Sequence, residues 1–326
     1  MFRLSLMPDM AITGGIWSQF SIPELPEVET IVRELRKKII GLRITDFWSD
    51  KEKPVKQAGG VAKFKKEITG KEIVGIFRRA KFIVIDIKGN KSIFIHQKIS
   101  GHLMYGQWKL KVKSEKLKVK EKDQETWIST IPGPLENDRQ NQYIRYIWTL
   151  SNGYQLAMSD LRRFSRVILV KDKDVSNLKE IRNLGPEPLD IKFDQFKKLF
   201  QTKRGSLKPA LMDPFFIVGI GNIYSDEILW DAGYHPLSRV EKLKELDLIK
   251  IFRSTNKILK KAIKLKGDSM DDYRLPSGEK GGYQNIQKAY QQTGKKCAKK
   301  DGGTVQRIKV GGRSAHFCFK HQKIIK

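Results

Sequence analysis

The sequence predicts an α+β chain of several domains: an antiparallel β domain opened by a helix, then a helical domain, then a small C-terminal hairpin. Three observations predict it. β-Branched and aromatic runs bounded by turn residues recur up to about residue 172. Past Leu184-Gly185-Pro186-Glu187-Pro188-Leu189 the apolar residues change to helical spacing. From about residue 285 the chain is short, basic and Gly-rich.

The first element is an amphipathic helix over 26–40, with Val28, Ile31, Val32, Leu35, Ile39 and Ile40 on one face. Pro26 suits its first turn, Glu27 and Glu29 suit its positive end, and Gly41 suits its stop. Strands are expected at Phe82–Ile87, Ser92–Ile95, Tyr146–Leu150 and Arg166–Val170. Gly89-Asn90 and Asn152-Gly153 are hairpin turns by type. Lys109–Glu125, dense in Lys and Glu, reads as a solvated excursion whose beats Leu110, Val112, Leu117 and Val119 could make a ragged hairpin. Helices are expected at Phe193–Phe200, Leu207–Asp213, Ile223–Ala232 and Val240–Leu265.

The chain of 326 residues carries 64 Lys and Arg against 36 Asp and Glu, a formal charge of +28. Such a field favours polyanions through steering and counterion release, without separating DNA from RNA. Cys297 and Cys318 are too few for a disulfide framework and suit a reducing compartment. No stretch is apolar for the roughly 18 residues a membrane span needs. The first 22 residues make no secretory signal, since Pro8 and Asp9 break their apolar run. We therefore expect a cytoplasmic protein.

Five strings, taken in order, resemble one family. They are Pro23-Glu24-Leu25-Pro26-Glu27-Val28-Glu29-Thr30, Arg78-Arg79-Ala80-Lys81-Phe82, His96-Gln97-Lys98-Ile99-Ser100-Gly101, Asp160-Leu161-Arg162-Arg163-Phe164, and Gly219-Ile220-Gly221-Asn222-Ile223-Tyr224 with Glu227. Together they resemble the bacterial formamidopyrimidine-DNA glycosylases, which remove oxidised purines from DNA. The resemblance implies a β-sandwich with an N-terminal helix over 23–172, a helix–two-turns–helix domain over 173–284, and a zinc-finger-like hairpin over 285–326. It implies a bifunctional glycosylase and abasic-site lyase working as a monomer on damaged double-stranded DNA of the nucleoid. Pro-Glu-Leu-Pro favours the oxidised-purine branch over the related endonuclease VIII branch. A non-catalytic binder of damaged DNA is the rival reading.

The resemblance also implies roles. The family's nucleophile is the free secondary amine of an N-terminal proline, here Pro23, with Glu24 as the adjacent acid. A peptide-bonded proline nitrogen has no such lone pair, so residues 1–22 are expected to be a start-site artefact absent from the working protein. Lys81 matches a lysine of the elimination step, and Arg313 matches the finger arginine that assists it. Ile99, Arg162 and Phe164 fall on the three side chains that fill the hole left by an extruded nucleotide. Ile99 replaces a methionine and Ser165 a glycine. Tyr143, Lys203 and Asn222 fall on DNA-contacting positions, the first in place of a histidine. Glu27 is read as structural. The stretch from Asp272-Tyr273 to Gly282-Tyr283 falls on a flexible loop covering the flipped base.

The family finger holds zinc with two Cys-x₂-Cys pairs. This chain has Cys297-Ala298-Lys299-Lys300 and Cys318-Phe319-Lys320-His321. Lysine is no ligand at neutral pH, whereas His321 is a good one and Asp301 a fourth candidate. The zinc site is thus Cys297, Asp301, Cys318 and His321, or the hairpin is metal-free and packed on Val305, Ile308 and Phe317.

Overall fold

The computed structural model describes residues 22–51, 59–112, 125–270 and 273–326. The proposed N-terminal extension, apart from Ile22, and the centre of the Lys/Glu-rich excursion lie outside the described residues. The chain opens with α1 (Leu25–Ile39), then runs β1 (Ile44–Ser49), α2 (Val61–Ile68), β2 (Ile73–Arg79), β3 (Phe82–Ile87), β4 (Lys91–His96) and β5 (Gly101–Gly106). A strand pair, β6 (Trp108–Val112) and β7 (Glu125–Ser129), precedes β8 (Ile144–Leu150), β9 (Gln155–Asp160) and β10 (Arg166–Lys171). Two four-stranded antiparallel sheets result, in the orders β1-β8-β9-β5 and β10-β4-β3-β2. Their inner faces share one apolar core with α1, through Val28, Ile31, Leu35, Ile85, Trp148 and Met158. This is the expected β-sandwich.

The second half holds α3 (Phe193–Thr202), α4 (Leu207–Met212), α5 (Asn222–Ala232) and α6 (Glu245–Lys264), followed by β11 (Val305–Val310) and β12 (Arg313–Cys318). The helices enclose a second core around Phe196, Leu211, Tyr224 and Leu259. The long helix expected from Val240 does not start there. Val240–Lys242 is a single 3-10 turn, and α6 begins after Lys244, whose backbone N–H donates to the Asp247 carboxylate at 2.9 Å. Asp247 supplies the N-terminal acceptor that the apolar period alone could not reveal.

Helix α1 joins the two halves. Most of its apolar face lies in the sandwich core, yet Leu25 lies in the helical core. Leu25 N–H donates to the Gly219 carbonyl at 3.0 Å. Gly219 has φ +84, and a Cβ there would stand 2.7 Å from that of Leu25, so glycine is needed on two counts. A second tie is Glu187 in the linker. It takes the Ala80 amide at 2.6 Å and the guanidinium groups of Arg78 at 2.5 Å and Arg79 at 3.1 Å. The described part of the expected covering loop packs closely rather than hanging free. Tyr273 and Leu275 enter the sandwich core, and the Tyr105 amide donates to Pro276 O at 2.8 Å.

Candidate active site

Pro23 and Glu24 are buried at the junction of the two halves. Glu24 Oε2 accepts the amides of Gly221 at 2.7 Å and Tyr224 at 3.3 Å, and Oε1 accepts that of Ile223 at 2.9 Å. The orphan N–H groups opening α5 are thereby satisfied by a carboxylate two hundred residues away. Gly221 permits this approach: a Cβ there would lie 2.4 Å from the carboxyl carbon. The opening string and the Gly-x-Gly-Asn string thus meet in one hydrogen-bonded unit.

Glu27 stands directly behind. Its Oε1 accepts the Tyr224 hydroxyl at 2.5 Å and the Asp268 amide at 2.7 Å, and Oε2 accepts the Glu24 amide at 2.9 Å. Burial, then the neighbouring Glu24 charge, pushes its carboxyl up to about 8 despite these donors. Glu227, pushed up to about 7 by burial, binds the amides of Lys288, Ala289 and Tyr290. It anchors the approach to the C-terminal hairpin.

Lys81 follows Ala80 (φ +53) at the turn from β2 into β3 and is half-buried. Ile99 is half-buried in the β4–β5 turn. That turn is tied to the loop after β9: Ser100 Oγ donates to Asp160 Oδ1 at 2.6 Å and accepts the Arg162 amide at 3.1 Å. Asp160 Oδ2 closes the loop on the Ser165 amide at 2.7 Å. Phe164 is 47% exposed, which excludes a core aromatic, and the Arg162 guanidinium lies 4.6 Å over its ring. The loops bearing Ile99, Arg162 and Phe164 therefore form one surface projection. Tyr143 is half-buried at the end of a 3-10 turn, 6.0 Å from the Arg145 guanidinium.

Lys203 forms an ion pair with Asp213 and lies 5.3 Å over the Phe216 ring. Asn222 opens α5; its Oδ1 is buried with no partner among the described residues. Arg313 starts β12 just after the Gly311-Gly312 tip, which rests on Pro209 of α4. The residue that sequence reasoning missed is Lys208. Fully buried, it pairs with Asp226 at 2.5 Å, and Asp226 Oδ2 binds the His316 amide at 3.0 Å and its Nδ1 at 2.8 Å. Burial lowers the Lys208 pKa, partly offset by Asp226, and the Arg313 charge pushes the same way as burial. The signal available was a lysine next to a proline inside an apolar helix, Leu207-Lys208-Pro209.

Cys297, Asp301, Cys318 and His321 bring one donor atom each within 4.8 Å of one another. His321 Nε2 faces the Trp230 carbonyl at 3.0 Å, leaving Nδ1 toward the cluster, 3.4 Å from Cys297 Sγ and 3.0 Å from Asp301 Oδ2. Asp301 is held by the Gly303 amide at 2.8 Å. Two sulfurs, an imidazole nitrogen and a carboxylate oxygen make a group that could hold a metal ion.

Among the described residues no helix is long and apolar enough to cross a membrane. The family model for the formamidopyrimidine-DNA glycosylase N-terminal domain matches residues 22–167, and that for its H2TH domain matches 184–274. Formamidopyrimidine-DNA glycosylase of Desulforamulus reducens is 34% identical over 306 residues, covering 93% of this chain and 99% of the relative. That of Pelotomaculum thermopropionicum is 31% identical, covering 93% and 100%. A solved complex of Lactococcus lactis Fpg with abasic-site DNA superposes with TM-score 0.75 at 31% identity, over 92% of this chain and 99% of that one. A Lactococcus lactis variant bound to Fapy-dG DNA gives 0.76 at 31% identity, over 92% and 100%. These matches span both halves of the junction that carries Pro23 and Glu24, and the chain belongs to the formamidopyrimidine-DNA glycosylase family.

Proposed function

We propose that this DNA repair glycosylase excises oxidised purines, 8-oxoguanine and formamidopyrimidines, and then cuts the strand at the abasic site. The observation that carries the reading is the hydrogen-bonded unit of Glu24 with the amides of Gly221, Ile223 and Tyr224. It fixes Pro23 at the junction of the two halves, with the neighbouring carboxylate held by the N-terminus of α5.

The damaged nucleotide leaves the helix stack, and Ile99, Arg162 and Phe164 occupy its place. Arg162 donates to the orphaned partner base. The free amine of a chain beginning at Pro23 attacks C1′ of the sugar. The base departs with its bonding electrons, and the Glu24 carboxylate takes the proton of the attacking nitrogen and passes it to the ring oxygen as the ring opens. The resulting iminium is cationic without protonation and acidifies the C2′ proton. Loss of that proton expels the 3′ phosphate, and a second elimination expels the 5′ phosphate. Lys81 and Arg313 hold the phosphates while they leave. Lys203, Asn222 and Tyr143 contact the flanking backbone.

The amine must be free, so the working chain begins at Pro23. The family model's match from residue 22 supports this. We assign zinc to Cys297, Asp301, Cys318 and His321; it would supply rigidity to the hairpin bearing Arg313 and no chemistry at the sugar. The test is single-turnover cutting of duplexes carrying 8-oxoguanine or an oxidised pyrimidine by a chain beginning at Pro23. Faster cutting of the purine is expected. Binding without cutting would support a damaged-DNA binder, and preference for the pyrimidine an endonuclease VIII-like enzyme.

A further inference from the structure

We propose that Asp50 is a positioning residue for the Arg162–Phe164 projection; the inference rests on the wedge role given above to those two side chains. Asp50 lies just past β1, its amide donating to the Arg145 carbonyl at 3.1 Å. Arg145 sits where the β8–β9 register shifts between Ile144 and Tyr146. A bulge of this kind re-aims a side chain. Here the Arg145 Nε reaches the Asp160 carbonyl at 3.0 Å, and its Nη1 reaches Asp50 Oδ2 at 3.2 Å.

The same Oδ2 binds Arg163 Nη1 at 2.5 Å. Arg163 stands between the two wedge residues with φ +56, a left-handed conformation disfavoured for a side chain with a Cβ. The Asp50 and Arg145 side chains are only 15% and 16% exposed, so the carboxylate end of this cluster is shielded, while Arg163 approaches it from the surface at 34%. The loop ends are already fixed by Asp160. Its middle is fixed by Arg163 on Asp50. Arg163 lies at the surface but reaches back to the carboxylate, while Phe164 is exposed and the half-buried Arg162 stacks upon its ring. Asp50 touches neither DNA nor reacting atoms in this account. It selects the backbone state in which Arg162 and Phe164 are presented together.

The test compares cutting at a preformed abasic site in single-stranded DNA, where no partner base remains, with cutting of the same site in duplexes opposite each of the four bases. All chains begin at Pro23. Asp50→Asn is expected to lower the duplex-to-single-strand ratio about tenfold and to narrow the spread among opposite bases. Asp50→Glu should recover most of both. In an Arg163→Gly background, where glycine takes the left-handed turn freely, Asp50→Asn should add less than about a further twofold change. An unchanged ratio and spread in Asp50→Asn, or a full effect in the glycine background, would overturn the proposal. Should Asp50→Asn not fold, Arg163→Ala gives the same readout: a tenfold loss supports the anchor, and no loss overturns it. A parent chain that cuts neither substrate would instead remove the underlying functional reading.

Discussion

Glu24 Oε2 accepts the backbone N–H of Gly221 at 2.7 Å across 197 residues of chain. The carboxyl next to the proposed nucleophile is therefore also the cap of α5. Replacing Glu24 with Gln turns one acceptor into a donor facing backbone N–H groups. A buried donor left unpaired costs about 1–3 kcal/mol. We expect Glu24→Gln to lower the melting temperature and to slow lesion excision by roughly 100-fold or more. Cutting at preformed abasic sites should persist in part, since the aldehyde is already open to the amine. Equal loss on both substrates would leave Glu24 only its capping role.

Glu27 makes stability depend on pH with a definite sign. Its carboxyl titrates at about 8 in the fold against an ordinary value of 4.5. Between those values the folded state keeps a proton that the unfolded chain has released. Stability must therefore fall as pH rises from 4.5 to about 8, by roughly 4 kcal/mol for this group. Glu227, at about 7, adds in the same direction. Denaturant unfolding across this range should show the slope, and Glu27→Gln should flatten it. A slope unchanged by the substitution would contradict the burial argument.

Lys203 is held by Asp213 in the free protein. The proposed contact with DNA competes with that pairing. Lys203→Ala, and likewise Arg313→Ala, should reduce the log–log salt slope of duplex binding by about 0.9. Asp213→Asn should tighten binding at low salt. Arg162→Ala should instead weaken discrimination of the base opposite the lesion. Fluorescence titrations at several salt concentrations distinguish these outcomes.

The hairpin should retain about one zinc ion per chain when purified without chelator. Three good ligands and one carboxylate oxygen should release it to chelators more readily than four thiolates would. Elemental analysis checks this, with Cys318→Ser expected to abolish retention. Substoichiometric zinc unaffected by that substitution would show a metal-free hairpin.

Strands β3, β4, β8 and β10 and the turn between β3 and β4 were legible because local chemistry and tertiary role agree, whereas β1, β2 and α2 were not anticipated. Gly89 and Asn90 both take positive φ between β3 and β4. Strands β5 and β9 were not legible. Gly101-His102-Leu103-Met104-Tyr105-Gly106 and Gln155-Leu156-Ala157-Met158-Ser159-Asp160 lack β-branched residues and gain their form from sheet neighbours. The site strings could be read as strings, but their meeting could not. Nothing local announces that Glu24 caps α5, that Lys208 is buried against Asp226, or that Asp50 reaches Arg163. Each joins residues distant in sequence through one side-chain contact, which period and propensity do not encode.

The central claim is that the Pro23 nitrogen is the nucleophile. It is tested by borohydride reduction of the protein with abasic-site duplex, followed by proteolysis and mass mapping of the DNA-bearing peptide. A chain beginning at Pro23 is expected to give one adduct, on Pro23, and the 326-residue chain, with Pro23 in a peptide bond, none there. An adduct on Lys81 or another lysine in the shorter chain would contradict the account, as would trapping at Pro23 in the intact one.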